Sequence, residues 1–155
     1  MLSKIISGIS KKRIKAMSMF SGGGIAETYF EEVGVDVLVA NELLPERAQF
    51  YRENHPNTKI ICGDITKDDV FENLISGAKK AEIEFLIATP PCQGMSTLGL
   101  KQYDTDERTI LFFYVIKAMD ILKPNYLFIE NVPKLLQLFH CRSCFHADSS
   151  AYRKR

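Results

Sequence analysis

A cysteine follows two consecutive prolines in the segment ATPPCQG, residues 88–94, directly after the apolar run FLIA. Two prolines restrict the backbone at adjacent residues and end a strand, so the thiol of Cys92 should be held rigidly just beyond that strand. A thiolate in a fixed position loses little entropy when it attacks, and the pattern therefore favours a nucleophile. A metal ligand and an inert core cysteine are the alternatives. The polar segment that starts at Gly94 argues against a core position.

Glu130 is the second candidate for chemistry, because it follows the apolar run YLFI at residues 126–129. A carboxylic acid near an apolar interior tends to have a raised pKa and can serve as a proton donor. We therefore predict that Cys92 is a nucleophile and Glu130 its acid partner, with a purely structural glutamate as the alternative. Asn131 follows directly and is predicted to orient the loop or to bind the substrate.

Three further candidate positions also follow apolar runs, namely SGGG at residues 21–24, Glu42 and Asp64. Glycines let the backbone approach a ligand closely, and an acidic residue about 20 positions later can accept hydrogen bonds from ribose hydroxyls. Asp64 is predicted to bind an adenine amino group. A bare tight turn, a solvated capping acid and a plain turn aspartate are the respective alternatives. Because the spacing is not G-x-G-x-x-G, the pattern favours an adenosine-bearing ligand without a pyrophosphate anchor.

Strands and helices are predicted to alternate, because short apolar runs alternate with segments of helical spacing. The predicted strands are residues 15–20, 35–40, 59–62, 84–88 and 126–129. The predicted helices are residues 25–33 with Gly34 as C-cap, residues 45–54, a helix capped by Asp68 or Asp69 that runs to about Ala78, and residues 109–122. Residues 93–108 are polar with little periodicity, which predicts a long functional loop.

The predicted strands are apolar throughout rather than alternating, which is typical of a parallel sheet with helices on both faces. The predicted fold class is therefore α/β, a Rossmann-like parallel sheet. Ligands bind such sheets at the carboxyl ends of the strands. All the candidate residues follow strands, so this topology would bring them to one rim although they are far apart in sequence.

Composition limits the class of protein further. The chain has 155 residues, 46% of them hydrophobic, which is typical of one globular domain. The formal net charge of +1 excludes a strongly basic nucleic-acid binder, and we interpret the basic clusters near both ends as solubilising tails. No apolar run approaches the roughly 18 residues of a membrane span, and the N-terminus does not resemble a signal peptide. Four cysteines without disulfide spacing favour a cytoplasmic rather than a secreted protein.

Five short motifs resemble those of the cytosine-5 DNA methyltransferases, in that family's order and spacing. They are FSGGG at residues 20–24, NE at 41–42, GDI at 63–65, PPCQG at 90–94 and ENVP at 130–133. The resemblance covers residues 15–138 and corresponds to the N-terminal part of the catalytic domain. PPCQ followed by a downstream ENV is highly specific.

The resemblance implies a reaction on double-stranded DNA in which the target cytosine is flipped out of the duplex. Cys92 would attack C6 of the cytosine while Glu130 hydrogen-bonds or protonates N3. Covalent addition is needed because C5 of cytosine is a poor nucleophile on its own. Amino-directed methyltransferases carry an aromatic residue where Cys92 stands, which argues against that class. A cytoplasmic or nucleoid-associated role in restriction-modification is expected.

The resemblance also implies S-adenosyl-L-methionine as the cofactor. Phe20 would lie against the adenine, Glu42 on the ribose, and Asp64 with Ile65 at the adenine edge. The cofactor-binding residues implied by the motifs are Phe20, Ser21, Gly22, Gly23, Gly24, Glu42, Leu43, Asp64, Ile65 and Pro91.

The family pattern stops after about Leu138. A Q-x-R-x-R segment, a target-recognition domain and a closing helix should follow, and the sequence does not contain them. We therefore expect a truncated or frame-shifted fragment, inactive alone, with a basic extension at 1–14, a partial catalytic domain at 15–138 and an irregular tail at 139–155. A subunit of a split enzyme, completed by a second polypeptide, is the main alternative. An RNA cytosine-5 methyltransferase and a nucleotide-binding oxidoreductase with a redox-active Cys92 are further alternatives.

The segment HCRSCFH at residues 140–146 contains one C-x-x-C with flanking histidines. These ligands are crowded and lack a second pair elsewhere in the chain, so we interpret the segment as an irregular tail and predict no metal.

Overall fold

The computed structural model describes residues 12–91 and 107–131 of the chain. Five strands and three α-helices alternate within these two ranges. The strands are β1 (Ile14–Met19), β2 (Val35–Glu42), β3 (Lys59–Cys62), β4 (Phe85–Ala88) and β5 (Tyr126–Ile129). The helices are α1 (Pro45–Asn54), α2 (Asp68–Ala81) and α3 (Glu107–Leu122), and a short 3-10 helix spans Ile25–Glu27.

The strands form one sheet in the order β3-β2-β1-β4-β5, and every neighbouring pair is parallel. The predicted α/β fold class is therefore confirmed. The chain adds β2 and β3 on one side of β1 and then adds β4 and β5 on the other side. The topological switch point, where ligands bind in such sheets, consequently lies between the carboxyl ends of β1 and β4.

The main core lies on one face of the sheet, beneath α2 and α3. Met17 of β1, Leu86 of β4, Leu74 of α2 and Val115 of α3 are completely buried there. Helix α2 buries Phe71, Leu74, Ile75 and Ala78, which recur at helical spacing. This spacing explains why the sequence pattern located α2 correctly.

The ends of α2 differ from the prediction. The helix begins with Asp68 itself, after Lys67 as its N-cap, and no side chain makes a capping hydrogen bond. Capping by Asp68 or Asp69 was therefore wrong. The helix continues to Ala81 rather than Ala78 and ends where Glu82 adopts a left-handed φ of 54°.

The second face of the sheet carries a smaller apolar cluster of Ala16, Val37 and Ile87. Helix α1 buries Ala48 and Tyr51, and its predicted span from Pro45 to Asn54 is confirmed. Among the described strands β5 forms an edge, and three of its residues remain largely exposed. The exposed fractions of Tyr126, Leu127 and Phe128 are 56%, 42% and 47%. Within the described part of the chain, the central strands are therefore covered on both faces, whereas β5 is not.

The predicted helix at residues 25–33 was wrong. The segment forms the 3-10 helix Ile25–Glu27 followed by turns with i to i+3 hydrogen bonds, such as Phe30 N–H to Glu27 O at 2.9 Å. Ile25, Tyr29 and Val33, which should have formed a buried helical stripe, are 78%, 69% and 70% exposed. The physical reason is Glu27, whose side chain is buried instead and hydrogen-bonded to β1 and α1. Gly34 has a φ of 88° and does end the segment as predicted.

The proposed boundary between residues 138 and 139, most of the predicted loop at residues 93–108 and the HCRSCFH segment lie outside the described residues. They stay predictions, as does the boundary between residues 14 and 15. No helix in the two described ranges has the length and apolar character that a membrane crossing requires.

Candidate active site

At the switch point, the residue that follows β4 is hydrogen-bonded to the end of β1 and to the residue after it. Thr89 donates its N–H to Met19 O at 3.2 Å and its hydroxyl to Phe20 O at 2.9 Å. Phe20 has a φ of 61°, in the left-handed region that few non-glycine residues adopt. This conformation turns the chain sharply out of β1 and starts the glycine turn, residues 21–24.

Glu42 connects the glycine turn to the end of β2. Its Oε2 accepts the N–H of Gly22 at 2.9 Å, and its Oε1 accepts the N–H of Leu44 at 2.9 Å. The side chain lies in the interior, since the residue is only 5% exposed. The alternative of a solvated capping acid is therefore wrong. Each carboxylate oxygen retains a lone pair that can accept a further hydrogen bond.

Asp64 lies in a tight turn after β3. Its Oδ1 accepts hydrogen bonds from the N–H of Thr66 at 2.9 Å and from the Thr66 hydroxyl at 2.8 Å. The turn is held from two sides. The Nδ2 group of Asn41 donates to Gly63 O at 3.1 Å, and the Tyr114 hydroxyl of α3 donates to Thr66 O at 3.0 Å. Burial raises the pKa of Tyr114, so its hydroxyl stays protonated as a donor.

These residues surround a cavity of about 330 Å³ at the switch point. This volume lies at the lower end of small-molecule sites. Seven of the ten predicted cofactor-binding residues line it: Phe20, Gly22, Glu42, Leu43, Asp64, Ile65 and Pro91. Residues that the sequence analysis did not assign also line it, including Asn41, Arg47, Thr89 and Leu111.

The glycines of the turn face two different directions. A Cβ on Gly22 would meet nothing within 4 Å, so this residue leaves open space on the cavity side. A Cβ on Gly24 would lie 2.4 Å from His55 Nε2 and 2.9 Å from Tyr51 Cδ2. Gly23 and Gly24 line a second cavity, of about 510 Å³, behind the turn. Ser21 is buried and donates its hydroxyl to Asn41 O at 3.1 Å. The structure therefore does not place Ser21, Gly23 and Gly24 among the residues that line the first cavity.

The charges of the first cavity indicate the kind of ligand that it can hold. Glu42 and Asp64 contribute two carboxylates and Arg47 contributes one cation. Two carboxylates repel a phosphate group, whereas they accept hydrogen bonds from hydroxyl and amino groups. The lining therefore favours a ligand with hydroxyl and amino groups over one with a phosphate group.

Of the three predicted catalytic residues, Glu130 and Asn131 are described and Cys92 lies outside the described residues. Asn131 donates its Nδ2 group to Pro90 O at 3.1 Å and so ties the end of β5 to the segment that leads to Cys92. The main-chain N–H of Glu130 donates to Ala88 O at 3.1 Å. The Glu130 side chain is exposed. Its predicted role as the acid partner of Cys92 stays a prediction.

Sequence reasoning missed Glu27, a carboxylate that is only 4% exposed and contacts Ser18 and Tyr51. The signal in the sequence was Ser18, a polar residue within the otherwise apolar run AMSMF at residues 16–20. Asn41 was noted only within a motif, although its side chain holds the ends of β2 and β3 together.

A parallel sheet with a polar cavity at its switch point defines a Rossmann-like α/β ligand-binding domain. The chain belongs to the family described as C-5 cytosine-specific DNA methylase, whose model matches residues 14–145.

The chain is similar to several type II methyltransferases. It is 44% identical over 132 residues to M1.HgaI of Avibacterium volantium, which covers 83% of this chain and 37% of that protein. It is 33% identical to M.NgoPII of Neisseria gonorrhoeae, covering 82% of this chain and 36% of that protein. The chain thus spans little more than a third of the length of these relatives.

Solved structures share the fold. A prophage-encoded E. coli protein is similar with a TM-score of 0.64 and 23% identity, over 83% of this chain and 34% of that one. Spodoptera frugiperda DNMT2 is similar with a TM-score of 0.58 and 25% identity, over 80% of this chain and 37% of that one.

Proposed function

We propose that this chain forms the cofactor-binding and nucleophile-bearing part of a DNA (cytosine-5) methyltransferase. The observation that carries the proposal is the cavity at the switch point. It brings together Phe20, Glu42 and Asp64, and its wall includes Pro91, the residue that precedes Cys92. Cofactor and nucleophile would therefore meet at the same rim of the sheet.

When bound, S-adenosyl-L-methionine supplies an electrophilic methyl group. Glu42 would accept hydrogen bonds from the ribose hydroxyls through the lone pairs that Gly22 and Leu44 leave available. Asp64 and Ile65 would contact the adenine edge, and Phe20 would lie against the adenine ring. Gly22 would allow the ligand to approach the turn, because no neighbouring atom fills the space where its Cβ would be.

Cys92 would act on the cytosine ring. Its thiolate forms a bond to C6, and the electron pair of the C5–C6 double bond moves to C5. Glu130 stabilises this addition by a hydrogen bond or a proton at N3. After C5 has accepted the methyl group, its proton passes to solvent water and the electron pair of the C5–H bond forms the C5–C6 double bond. The S–C6 bond breaks in the same elimination, and its electron pair returns to the sulfur of Cys92.

The sheet register supports this pairing of Cys92 and Glu130. Ala88 of β4 lies opposite Ile129 of β5, so the prolines before Cys92 and the acid Glu130 leave neighbouring strands at the same level. The Asn131 contact to Pro90 O joins the two segments. We propose that Asn131 orients the Cys92 loop. An enzyme with this substrate would act in the cytoplasm or at the nucleoid, where the DNA is.

Calorimetry on the purified chain tests the cofactor half of the proposal. S-adenosyl-L-methionine should bind, and Glu42→Ala should abolish the binding, while NAD should give no heat of binding. If the chain binds NAD and does not bind S-adenosyl-L-methionine, the oxidoreductase alternative is favoured and the proposal is overturned.

The exposure of β5 supports the alternative in which a second polypeptide completes the enzyme. Within the described residues this strand has a neighbour on one side only, and Tyr126 and Phe128 on one face are 56% and 47% exposed. An edge strand presents unpaired N–H and C=O groups to which another chain can bind. Because the chain spans 37% of M1.HgaI, we propose that a polypeptide equivalent to the remainder of that relative docks at β5.

A mixing experiment tests this candidate. The part of M1.HgaI outside the match is purified and added to this chain, and co-elution and methyl transfer to unmodified plasmid DNA are measured. Tyr126→Lys with Phe128→Lys should abolish co-elution, whereas Tyr29→Lys, at an exposed position away from β5, should not. Cys92→Ser should co-elute but transfer no methyl group. If the two polypeptides do not associate, docking of this occupant at β5 is refuted.

A further inference from the structure

On the side away from the 330 Å³ cavity, the glycine turn is hydrogen-bonded to Glu27, whose buried carboxylate takes no part in the proposed reaction. Glu27 is 4% exposed, and its two oxygens accept hydrogen bonds from the Ser18 hydroxyl of β1 and the Tyr51 hydroxyl of α1. Both partners are themselves at most 1% exposed. These contacts lie on the second face of the sheet, on the far side of the turn from the 330 Å³ cavity.

Glu27 is connected to the turn by short main-chain and side-chain contacts. Its N–H donates to Gly24 O at 3.1 Å, and the N–H of Gly24 donates to Ser21 O at 3.0 Å. The His55 Nε2 group, which follows α1, also donates to Gly24 O at 3.0 Å. Gly24 therefore cannot move independently of Glu27 and His55.

On the cavity side the same turn ends in the contact between Gly22 N–H and Glu42 Oε2, at 2.9 Å. Only Gly23 separates Gly22 from Gly24, whose carbonyl oxygen is bonded to Glu27 and His55. A displacement of Glu27 would therefore be transmitted to Gly22 and would change its distance from Glu42.

The chemistry of the contact is directional. An apolar side chain would fill the space behind the turn without selecting one position, whereas a carboxylate with two hydroxyl donors must lie between them. Burying a carboxylate is also unfavourable unless its hydrogen bonds are made. Burial raises the pKa of Glu27, which the bonds from Ser18 and Tyr51 oppose. Such an arrangement is better explained by placement of the turn than by general stabilisation.

We propose that Glu27 is a positioning residue for the cofactor turn: bound by Ser18 and Tyr51, it holds Gly24 and thereby sets the Gly22–Glu42 contact. This inference rests on the proposed function in one respect only, namely the identity of the ligand. Glu27 does not line the 330 Å³ cavity, so its effect on the ligand is indirect.

Glu27→Ala and three milder variants test the role. Tyr51→Phe and Ser18→Ala each remove one hydroxyl donor, and Glu27→Gln keeps the shape and one acceptor oxygen. The matched control is Ile75→Val, in the core on the opposite face, which should lower the free energy of unfolding by about 1 kcal/mol, as a lost buried methylene group does. The readouts are S-adenosyl-L-methionine affinity by calorimetry, the amide resonance of Gly22 in glycine-labelled protein, and chemical denaturation.

Tyr51→Phe and Ser18→Ala should weaken cofactor binding by about tenfold, equivalent to about 1.4 kcal/mol, and should shift the Gly22 resonance. Glu27→Gln should restore most of the affinity relative to Glu27→Ala. The control should lose stability while its affinity and its Gly22 resonance stay unchanged. If the hydroxyl variants behave like the control, Glu27 is only structural and the proposal is overturned.

Failure of the proposed function gives a different result. If the wild-type chain binds no S-adenosyl-L-methionine, the assignment of the ligand is at fault. The Gly22 resonance still decides the positioning role, since it reports the contact with Glu42 whether or not a ligand is present.

Discussion

The N–H of Gly22 lies 2.9 Å from Oε2 of Glu42, and this contact joins the turn after β1 to the end of β2. The second oxygen of Glu42 accepts the N–H of Leu44, where α1 begins. One buried carboxylate therefore sets the relative positions of the turn, the strand end and the helix start around the cavity.

Glu42→Gln should weaken this junction. A glutamine offers one acceptor oxygen, and its NH2 group would face the second main-chain N–H, so one buried donor would lose its partner. We expect the free energy of unfolding to fall by about 1–3 kcal/mol, and S-adenosyl-L-methionine affinity to fall more than tenfold. Urea denaturation and calorimetry measure the two effects. Glu46→Gln, at an exposed acid in the first turn of α1, is the control; affinity equal to that of the control would contradict the role given to Glu42.

Gly24→Ala should destabilise the protein more than Gly34→Ala, although both glycines have positive φ, of 77° and 88°. A Cβ on Gly34 meets nothing within 4 Å, so its cost should be backbone strain alone, about 1–2 kcal/mol. A Cβ on Gly24 would clash with His55 at 2.4 Å and should add roughly 1–3 kcal/mol. Thermal unfolding of the two variants measures the difference. His55→Ala combined with Gly24→Ala should recover part of the loss, and equal effects of the two glycine variants would show that the clash is relieved locally.

Asn41→Ala should loosen the Asp64 turn. The Nδ2 group of Asn41 donates to Ile61 O at 3.0 Å and Gly63 O at 3.1 Å, and the residue is 2% exposed. Removing it leaves two carbonyl groups without this donor, which should lower the free energy of unfolding by about 1–3 kcal/mol. Hydrogen exchange at the Gly63 amide should become faster. Asn73→Ala, on the exposed side of α2, should leave that exchange rate unchanged. An unchanged rate in Asn41→Ala would mean that other contacts hold the turn.

Glu27→Gln should remove a pH dependence of stability. Burial raises the pKa of Glu27 above its ordinary value of 4.5, and the groups that oppose the shift are the Ser18 and Tyr51 hydroxyls and the nearby His55. A group whose pKa is higher in the folded state stabilises the fold fully below its unfolded pKa, and that contribution is lost as the pH rises through the folded pKa. The free energy of unfolding of Glu27→Gln, relative to wild type, should therefore increase as the pH rises above about 4.5. Denaturation curves at several pH values measure this, and a constant difference would show that Glu27 does not titrate in that range.

The sequence predicted the elements around the site well where local patterns decide the structure. The apolar runs that became β2, β3 and β5 carry β-branched or aromatic residues, and Pro45 is well suited to the first position of a helix. The segment 25–33 has the same apolar spacing as a helix but does not form one. Its conformation depends on Ser18 and Tyr51, which lie 9 and 24 residues from Glu27 in the chain. A pattern read within one segment contains no information about such partners.

The sequence by itself determined that Phe20, Glu42 and Asp64 would meet, because residues that follow parallel strands must lie at one edge of the sheet. It also determined the family, since the motifs depend on residue types and order. Only the tertiary structure decided which side of the turn each glycine faces, that Glu27 and Glu42 are buried, and that Glu130 is exposed. These properties arise from packing between segments that are distant in the chain. A rotation of the glycine turn, for example, would exchange the side that faces the cavity and the side that faces away from it. The local sequence is compatible with either orientation, and the contacts with α1, β1 and β2 select one of them.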